Sequence, residues 1–168
     1  MTAAKNLVLD EAQIRQKIRR IAYEIFENNF SENRLVLAGI EGQGYLFARL
    51  LQEEIETIAD KEILLVKISL DKQAPSQSAI SLDHPVEQMQ GQVIILADDV
   101  LNTGRTLAYS LKPFLQNPVK KLEIAVLVNR SLTTFPVQAK YTGYELATTL
   151  SDHIEVALSE GTPAVYLR

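Results

Sequence analysis

The segment from Val93 to Leu107 constrains the fold of this chain more than any other part of its sequence. It opens with an uninterrupted apolar run, Val93 to Ala97, which is typical of a strand buried on both faces of a parallel sheet. Two carboxylates, Asp98 and Asp99, follow this run, and small polar residues then lead into an apolar pattern with helical spacing. The segment therefore predicts a strand, a polar turn and a helix, the building unit of an α/β domain.

The polar part of this segment has the composition of an anion and polyol site. Thr103 and Thr106 carry hydroxyl donors, Gly104 lets a ligand approach the backbone closely, and the start of a helix presents free N–H groups. Asp98 and Asp99 can accept hydrogen bonds from vicinal hydroxyls or approach a hard cation. An acid before a helix is also a common N-cap, so each residue alone has a purely structural interpretation. The combination in this order indicates a site for a phosphorylated polyol.

Composition and charge narrow the functional classes. The chain has 168 residues and is expected to form a single domain, 1–168. Its 17 Lys and Arg against 21 Asp and Glu give a net charge of −4, which argues against broad nonspecific binding of nucleic acid. It contains no cysteine, which excludes disulfides, a thiolate nucleophile and a cysteine metal site. Neither a signal-peptide core nor a membrane-length apolar run is visible, so a cytoplasmic protein with no membrane partner is expected.

Hydrophobic periodicity predicts the other elements. Asp10 is a predicted N-cap with Gln13 as its capping-box partner, and isoleucines spaced along one face follow it. The helix after the acids is predicted to begin near Thr103. Residues 71–92, rich in Gln, Ser and Pro, are predicted to be an irregular lid over a site or a surface excursion. Further strands are predicted at Leu35–Ile40, Ile63–Leu70 and Leu122–Val128, with a second helix after Gly44 and short strands from Lys140 onward.

Three loops of this predicted sheet are expected to lie close together. In a parallel sheet, ligands bind beyond the carboxyl ends of the strands. The loops that follow these ends are Glu41–Gly44, Asp98–Thr106 and Asn129–Ser131. The sequence thus predicts one site in which the acids and the hydroxyl-rich turn face the other two loops.

The order of residues from Asp98 to Thr106 resembles the phosphoribosyl diphosphate (PRPP) motif of type I phosphoribosyltransferases. Residues 8–25, 37–40, 125–131 and 136–143 are similar to the family of the bifunctional pyrimidine-operon attenuation regulator and uracil phosphoribosyltransferase. The resemblance implies a parallel-sheet type I phosphoribosyltransferase fold with helices on both faces and a small C-terminal hood over the base. It further implies transfer of a phosphoribosyl group between PRPP and a nucleobase, with uracil as the base, binding of pyrimidine-operon RNA, and a homodimer.

The resemblance also implies roles for individual residues. Asp98 and Asp99 match the catalytic acids that bind the ribose, Arg130 matches an arginine near the base pocket, and Arg20 matches a basic position on the RNA-facing helix. The predicted 5′-phosphate loop consists of Asn102, Thr103, Gly104, Arg105 and Thr106, in which Asn102 replaces an aromatic residue of the family. The predicted pyrophosphate loop consists of Glu41, Gly42, Gln43 and Gly44.

Pyrophosphate is a poor leaving group unless its charge is neutralised, and Mg²⁺ does this while held mainly by substrate phosphates and water. We therefore expect Mg²⁺ as part of the substrate, with no metal site built from protein side chains alone. Two alternatives to the enzyme stay open. The loop at 41–44 contains an acid and neither Lys nor Arg, which favours a noncatalytic homologue that binds PRPP or nucleotide. Lys17, Arg19 and Arg20 favour a nucleotide-sensing, RNA-binding regulator, unless they only form a solvated helix face.

Overall fold

A computed structural model of the chain describes residues 4–76, 79–159 and 161–168. Helices and strands alternate along most of these ranges, as the sequence predicts. The strands are β1 (Asn6–Leu9), β2 (Arg34–Ile40), β3 (Glu62–Ser69), β4 (Ser81–Leu82), β5 (Val93–Leu101), β6 (Lys121–Asn129), β7 (Tyr141–Glu145), β8 (Ile154–Ala157) and β9 (Ala164–Leu167). The helices are α1 (Glu11–Asn28), α2 (Gln43–Ile58), α3 (Arg105–Ser110) and α4 (Lys112–Leu115), and a 3₁₀ turn covers Val86–Met89.

The centre of the fold is a six-stranded sheet with the order β4-β3-β2-β5-β6-β7. All neighbouring pairs are parallel except β3 with the short edge strand β4. The apolar run at Val93 lies in the interior strand β5, whose first five residues are fully buried. Because the parallel strands run in one direction, the carboxyl ends of β2, β5 and β6 meet at one edge of the sheet.

Helices cover both faces of this sheet, which confirms the predicted fold class. On one face, α1 and α2 pack against the sheet through a cluster that includes Ile18, Leu51 and Ile95. On the other face, Leu107 of α3 and Phe114 of α4 pack against a second cluster. Burial of apolar side chains on both faces, at about 25 cal/mol per Å² removed from water, is the main force that holds the layers together.

Helix α1 begins as its sequence predicts. The Asp10 carboxylate accepts a hydrogen bond from the Gln13 backbone N–H at 2.8 Å, and the Gln13 side chain accepts one from the Asp10 N–H at 2.9 Å. This reciprocal capping box satisfies two N–H groups that the first turn would otherwise leave unpaired. The predicted isoleucine face is buried, and its members are Ile14, Ile18, Ile21 and Ile25.

The hood differs from the expected C-terminal unit because it contains both ends of the described chain. It is an antiparallel sheet with the order β1-β9-β8. Leu167 of the central strand β9 lies between Asn6 of β1 and Ile154 of β8. Strand β1 was not predicted from the sequence. Its apolar run, Leu7 to Leu9, is too short to identify a strand, and only Leu9 is fully buried, so pairing with β9 is what defines this strand.

Several predicted boundaries are wrong by a few residues. Strand β5 does not end before the acids but continues through Asp98 and Asp99 to Leu101, since Asp98, Val100 and Leu101 still pair with β6. Helix α3 begins at Arg105 rather than near Thr103. The turn predicted at Glu41–Gly44 is shorter, because α2 already begins at Gln43.

The segment 71–92 is mostly irregular, in agreement with the sequence. It nevertheless contains β4 and the 3₁₀ turn, and buries Met89 in the second core cluster. The part of the predicted lid at Gln77 and Ser78 lies outside the described residues. In the described ranges, the structure contains no helix both long and apolar enough to cross a lipid bilayer.

Candidate active site

A cleft of about 340 Å³ lies at the edge where the parallel strands end. The acids and the polar turn form one wall, the hood forms another, and a lysine from the irregular segment closes one side. The lining residues are Lys72, the continuous stretch Asp98 to Leu107, and His153 to Val156. The structure therefore brings both predicted acids and all five predicted phosphate-loop residues into one cavity.

The acid pair combines burial with charge repulsion. Asp98 is only 5% exposed, whereas Asp99 is half-buried. The Asp99 backbone N–H donates a hydrogen bond of 2.9 Å to the Asp98 carboxylate. Burial, and then the negative charge of Asp99, raise the pKa of Asp98 well above its usual range, while the positive charge of Lys72 acts in the opposite direction. A pair of this kind is poised to accept hydrogen bonds from hydroxyls or to be stabilised by an approaching positive charge.

The turn after β5 is shaped by Gly104. Its φ of +85° lies in the left-handed region, which residues with a side chain adopt only at a cost. A Cβ on Gly104 would come within 2.4 Å of Val137 Cγ2, so backbone conformation and packing both require glycine here. The carbonyl of Thr103 accepts hydrogen bonds from the backbone N–H groups of Thr134 and Phe135 at 2.8 and 3.2 Å. Residues 134 and 135 thus hold the turn on one side, while its other side lines the cleft.

The predicted pyrophosphate loop lies beside this cleft but does not line it. Gly44 is buried against the acid pair, and a Cβ on it would lie 2.6 Å from Asp98 Oδ1. The side chain of Gln43 turns toward the hood, where it accepts a hydrogen bond of 2.7 Å from Leu158 N–H. Glu41 is exposed, as is Gly42, whose φ of +96° makes the turn into α2. The loop therefore contacts the site mainly through the backbone at Gly44.

Substitution of Gly44 by alanine is expected to weaken ligand binding without weakening the helix. Alanine is a better helix former than glycine by about 1 kcal/mol, so α2 itself gains stability. The added methyl group, however, must displace the Asp98 carboxylate from its present position. Isothermal titration with PRPP and Mg²⁺ should show at least about a tenfold loss of affinity, equivalent to about 1.4 kcal/mol. Wild-type affinity in Gly44→Ala would contradict the close contact.

Arg130 is not brought into the cleft. It is only 8% exposed and makes four hydrogen bonds to protein acceptors. Nη1 donates to Asn102 Oδ1 at 2.8 Å, and Nε donates to Thr148 Oγ1 at 2.9 Å. Nη2 donates to the carbonyls of Thr149 and Asp152 at 3.1 and 2.7 Å. The family resemblance implied a residue near the base pocket, but the side chain lies behind Asn102 because its polar partners surround it there.

Outside the predicted site residues, the charged side chains that line the cleft belong to Lys72 and Glu155. Lys72 is the only Lys or Arg in the segment 71–92, and this isolation was the signal that could have identified it. Glu155 lines the cleft from the hood, but its carboxylate is already paired with Lys5 and Arg168. Its position depends on the pairing of β8 with β9, which no local pattern reveals.

The predicted RNA-facing residues of α1 are largely engaged within the protein. Arg20 donates to the Glu24 carboxylate at 2.7 Å and to the Gly143 carbonyl at 2.6 Å. The Lys17 ammonium lies 5.3 Å from the centre of the Tyr144 ring, a cation–π distance. These contacts join α1 to β7 and its flank, so part of the basic face has a structural role.

A family model described as "Phosphoribosyl transferase domain" matches residues 6–160, nearly the whole chain. The chain therefore belongs to the phosphoribosyltransferase family. Among characterised relatives it is similar to the "Bifunctional protein PyrR" of Brevibacillus brevis, with 33% identity over 163 residues that cover 93% of this chain and 91% of the relative. The Bacillus subtilis protein of the same name is also 33% identical, over 166 residues, with the same coverage of both chains.

Solved structures support the same fold. A hypoxanthine-guanine phosphoribosyltransferase from Bacillus anthracis superimposes with a TM-score of 0.73 at 19% identity, covering 84% of this chain and 82% of that one. The hypoxanthine phosphoribosyltransferase of Trypanosoma cruzi gives a TM-score of 0.74 at 18% identity, covering 85% and 82%. At this identity the similarity establishes the fold, and the base on which the present chain acts is a separate question.

Proposed function

We propose that this phosphoribosyltransferase binds PRPP with Mg²⁺ in the cleft and transfers the phosphoribosyl group to or from a nucleobase, with uracil as the first candidate. The observation that carries the proposal is the meeting of Asp98, Asp99 and the loop 102–106 in one cavity. Two similarities support a pyrimidine base. One is the similarity of the whole chain to "Bifunctional protein PyrR", and the other is the resemblance of its sequence motifs to that family. We further propose that residues 1–168 act as one domain, in a cytoplasmic homodimer.

In this proposal each part of the cleft meets one part of the substrate. The loop 102–106 binds the 5′-phosphate through its hydroxyls and backbone N–H groups, with Arg105 as an available positive charge. Asp98 and Asp99 accept hydrogen bonds from the 2′- and 3′-hydroxyls of the ribose. Glycosyl transfer passes through an oxocarbenium-like state, and the two carboxylates stabilise the positive charge that develops on the ring.

The leaving diphosphate requires positive charge, and the cleft offers Lys72 for this purpose. Magnesium would supply the larger part by neutralising the diphosphate with which it enters. The donors that face the cleft are carboxylate and hydroxyl oxygens, which suit a hydrated Mg²⁺ carried by the substrate. Among the residues that the structure describes, no cluster of three or more His, Cys, Asp or Glu side chains could hold a metal ion. Asn102 carries an amide that cannot accept a proton from the base, so we assign no general base to this position.

Calorimetric titration with PRPP and Mg²⁺ tests the site. Wild-type protein is expected to bind, and the double variant Asp98→Asn, Asp99→Asn is expected to lose affinity because two acceptors for the ribose hydroxyls become amides. The exposed Asp60, at the end of α2, provides a matched control, and Asp60→Asn should bind as wild type does. Equal affinity in all three proteins would remove the assignment of the acids.

The second candidate function is an RNA-binding regulator, and the similarity to "Bifunctional protein PyrR" over most of the chain favours it. Binding of a pyrimidine-operon leader RNA should then weaken steeply as salt increases, because Lys and Arg contacts release counterions from the phosphates. Absence of binding at low salt would exclude this function. Release of pyrophosphate from PRPP with uracil would exclude the noncatalytic alternative.

A further inference from the structure

The loop between β7 and β8 is tied to the phosphate loop by a single side chain. Arg130 donates to three acceptors of the segment 148–152, namely the Thr148 hydroxyl and the carbonyls of Thr149 and Asp152. Its remaining guanidinium nitrogen donates to Asn102 Oδ1. Because Asn102 lines the cleft and the segment 148–152 leads directly into the hood strand β8, this one guanidinium joins the two opposite walls of the cavity.

The segment 148–152 is held together by its own hydrogen bonds, so a shift of this segment also shifts the start of the hood. The Asp152 carboxylate accepts a hydrogen bond of 2.7 Å from Thr149 N–H, which closes the turn that Arg130 holds. His153, the next residue, pairs through its backbone with Arg168 at the end of the hood sheet and lines the cleft. The contacts of Arg130 therefore connect the start of the hood to the phosphate loop.

We propose that Arg130 is a positioning residue that sets the distance between the phosphate loop and the hood, and so selects ligands that span both. This inference rests on the proposed function, and it assigns Arg130 no direct contact with substrate. The planar guanidinium is suited to this task because its donors are fixed in one fork, whereas a lysine ammonium cannot reach acceptors in three directions at once. Asn102 supplies the amide oxygen that this connection needs.

Two ligands of different length, UMP and ribose 5-phosphate, should respond differently to the loss of Arg130. In the proposed binding mode, UMP extends from the phosphate loop to the hood, whereas ribose 5-phosphate contacts only the phosphate loop and the acids. The phosphate loop should keep its conformation without Arg130, because Thr134 and Phe135 hold the Thr103 carbonyl independently. Loss of the Arg130 hydrogen bonds is therefore expected to weaken UMP binding and to spare ribose 5-phosphate.

The experiment measures both affinities by calorimetry in wild type, Arg130→Lys, Asn102→Ala and the double variant. Arg130→Lys is expected to lower UMP affinity by roughly tenfold or more, the usual effect of losing hydrogen bonds to a charged group, and to change ribose 5-phosphate affinity by less than about twofold. The ratio of the two affinities in the double variant should equal that in Arg130→Lys alone, since both changes break the same connection. Arg34→Lys is the matched control, because Arg34 holds the Gln88 carbonyl at the opposite end of the sheet.

Three results would overturn the proposal. An equal loss for both ligands in Arg130→Lys would indicate a direct phosphate contact or general damage to the site. Unchanged UMP affinity would show that the connection does not position the hood. Amide hydrogen exchange in the segment 148–152, measured without ligand, should accelerate in Arg130→Lys and not in Arg34→Lys, and equal exchange in wild type and Arg130→Lys would also refute it.

The failure of the proposed function is distinguishable from failure of this inference. If wild-type protein binds neither UMP nor ribose 5-phosphate, the assignment of the cleft is wrong. The hydrogen-exchange comparison then still decides whether Arg130 holds the segment 148–152, since it requires no ligand.

Discussion

Asparagine in place of Asp98 is expected to raise the thermal stability of this protein while nearly abolishing phosphoribosyl transfer. The carboxylate is buried and lies beside a second acid, so its ionised form destabilises the folded state. Asparagine has the same shape and keeps an oxygen for the Asp99 N–H. Loss of an electrostatic group at the reacting centre costs about 10² to 10³ in rate. Each kcal/mol of stability gained shifts the Tm of a chain of this size by about 2 to 4 °C.

The pH dependence of stability provides the sharper measurement. The pKa of Asp98 is raised in the folded state above its ordinary value of 3.8, so the folded protein holds this proton more tightly than the unfolded chain does. Below pH 3.8 the group is protonated in both states and contributes no penalty. As pH rises toward the folded-state pKa, the free energy of unfolding of wild type falls, and the full penalty remains above that pKa.

Asp98→Asn lacks this titration, so its advantage over wild type in calorimetric scans should grow as pH rises above 3.8 and level off above the folded-state pKa of Asp98. Asp99→Asn is a useful companion variant, because it removes the neighbouring charge and should reduce the pKa shift of Asp98 without removing its burial. A variant Asp98→Asn that melts below wild type at pH 9 would show that the carboxylate stabilises the fold, contrary to the present interpretation.

Alanine at position 104 is expected to produce the second large effect, a loss of about 2 to 4 kcal/mol in stability. Two causes add together, because the left-handed backbone disfavours any Cβ and that Cβ would meet Val137 Cγ2 at 2.4 Å. Any relief of this contact moves the loop that lines the cleft, so PRPP affinity should fall as well. Urea unfolding and PRPP titration measure the two effects separately.

Gly91 offers the matched control for this prediction. Its φ of +70° is also left-handed, but a Cβ there would meet no atom within 4 Å. Gly91→Ala should therefore lose only the conformational part, about 1 to 2 kcal/mol, and leave PRPP affinity unchanged. The pair Gly104→Ala, Val137→Ala should recover part of the lost affinity. If Gly104→Ala and Gly91→Ala behave alike, packing against Val137 does not shape the loop.

The parts of the fold that could be predicted are those in which local sequence and tertiary environment agree. Helix α1 has both a capping box and a complete isoleucine face, and the interior strand β5 is apolar on both sides. The cluster of Asp98, Asp99 and Thr103 was predictable for a related reason, since all three lie at or just beyond the carboxyl end of β5 and need no distant partner to meet. Parallel topology then placed the cleft at the correct edge of the sheet.

The parts that could not be predicted depend on contacts between distant segments. Strand β1 has an apolar run of only three residues, too short to identify a strand, and it forms where β9 supplies its hydrogen bonds. The acceptors of Arg130 come from two loops separated by two strands, so the sequence shows an arginine after β6 but not the direction of its side chain. Gly44 was likewise predicted only as part of a turn, because its close approach to Asp98 depends on how α2 packs.

The pairing of β1 with β9 has a consequence for how the protein reaches its active form. The two strands lie at opposite ends of the described chain, and bringing such distant segments together is entropically slow compared with forming neighbouring strands. The strand pairs of the parallel sheet are less distant in sequence than this one, whereas the hood that forms one wall of the cleft must wait for this last closure. The ability to bind a nucleotide should therefore appear only after the central sheet and its helices have folded.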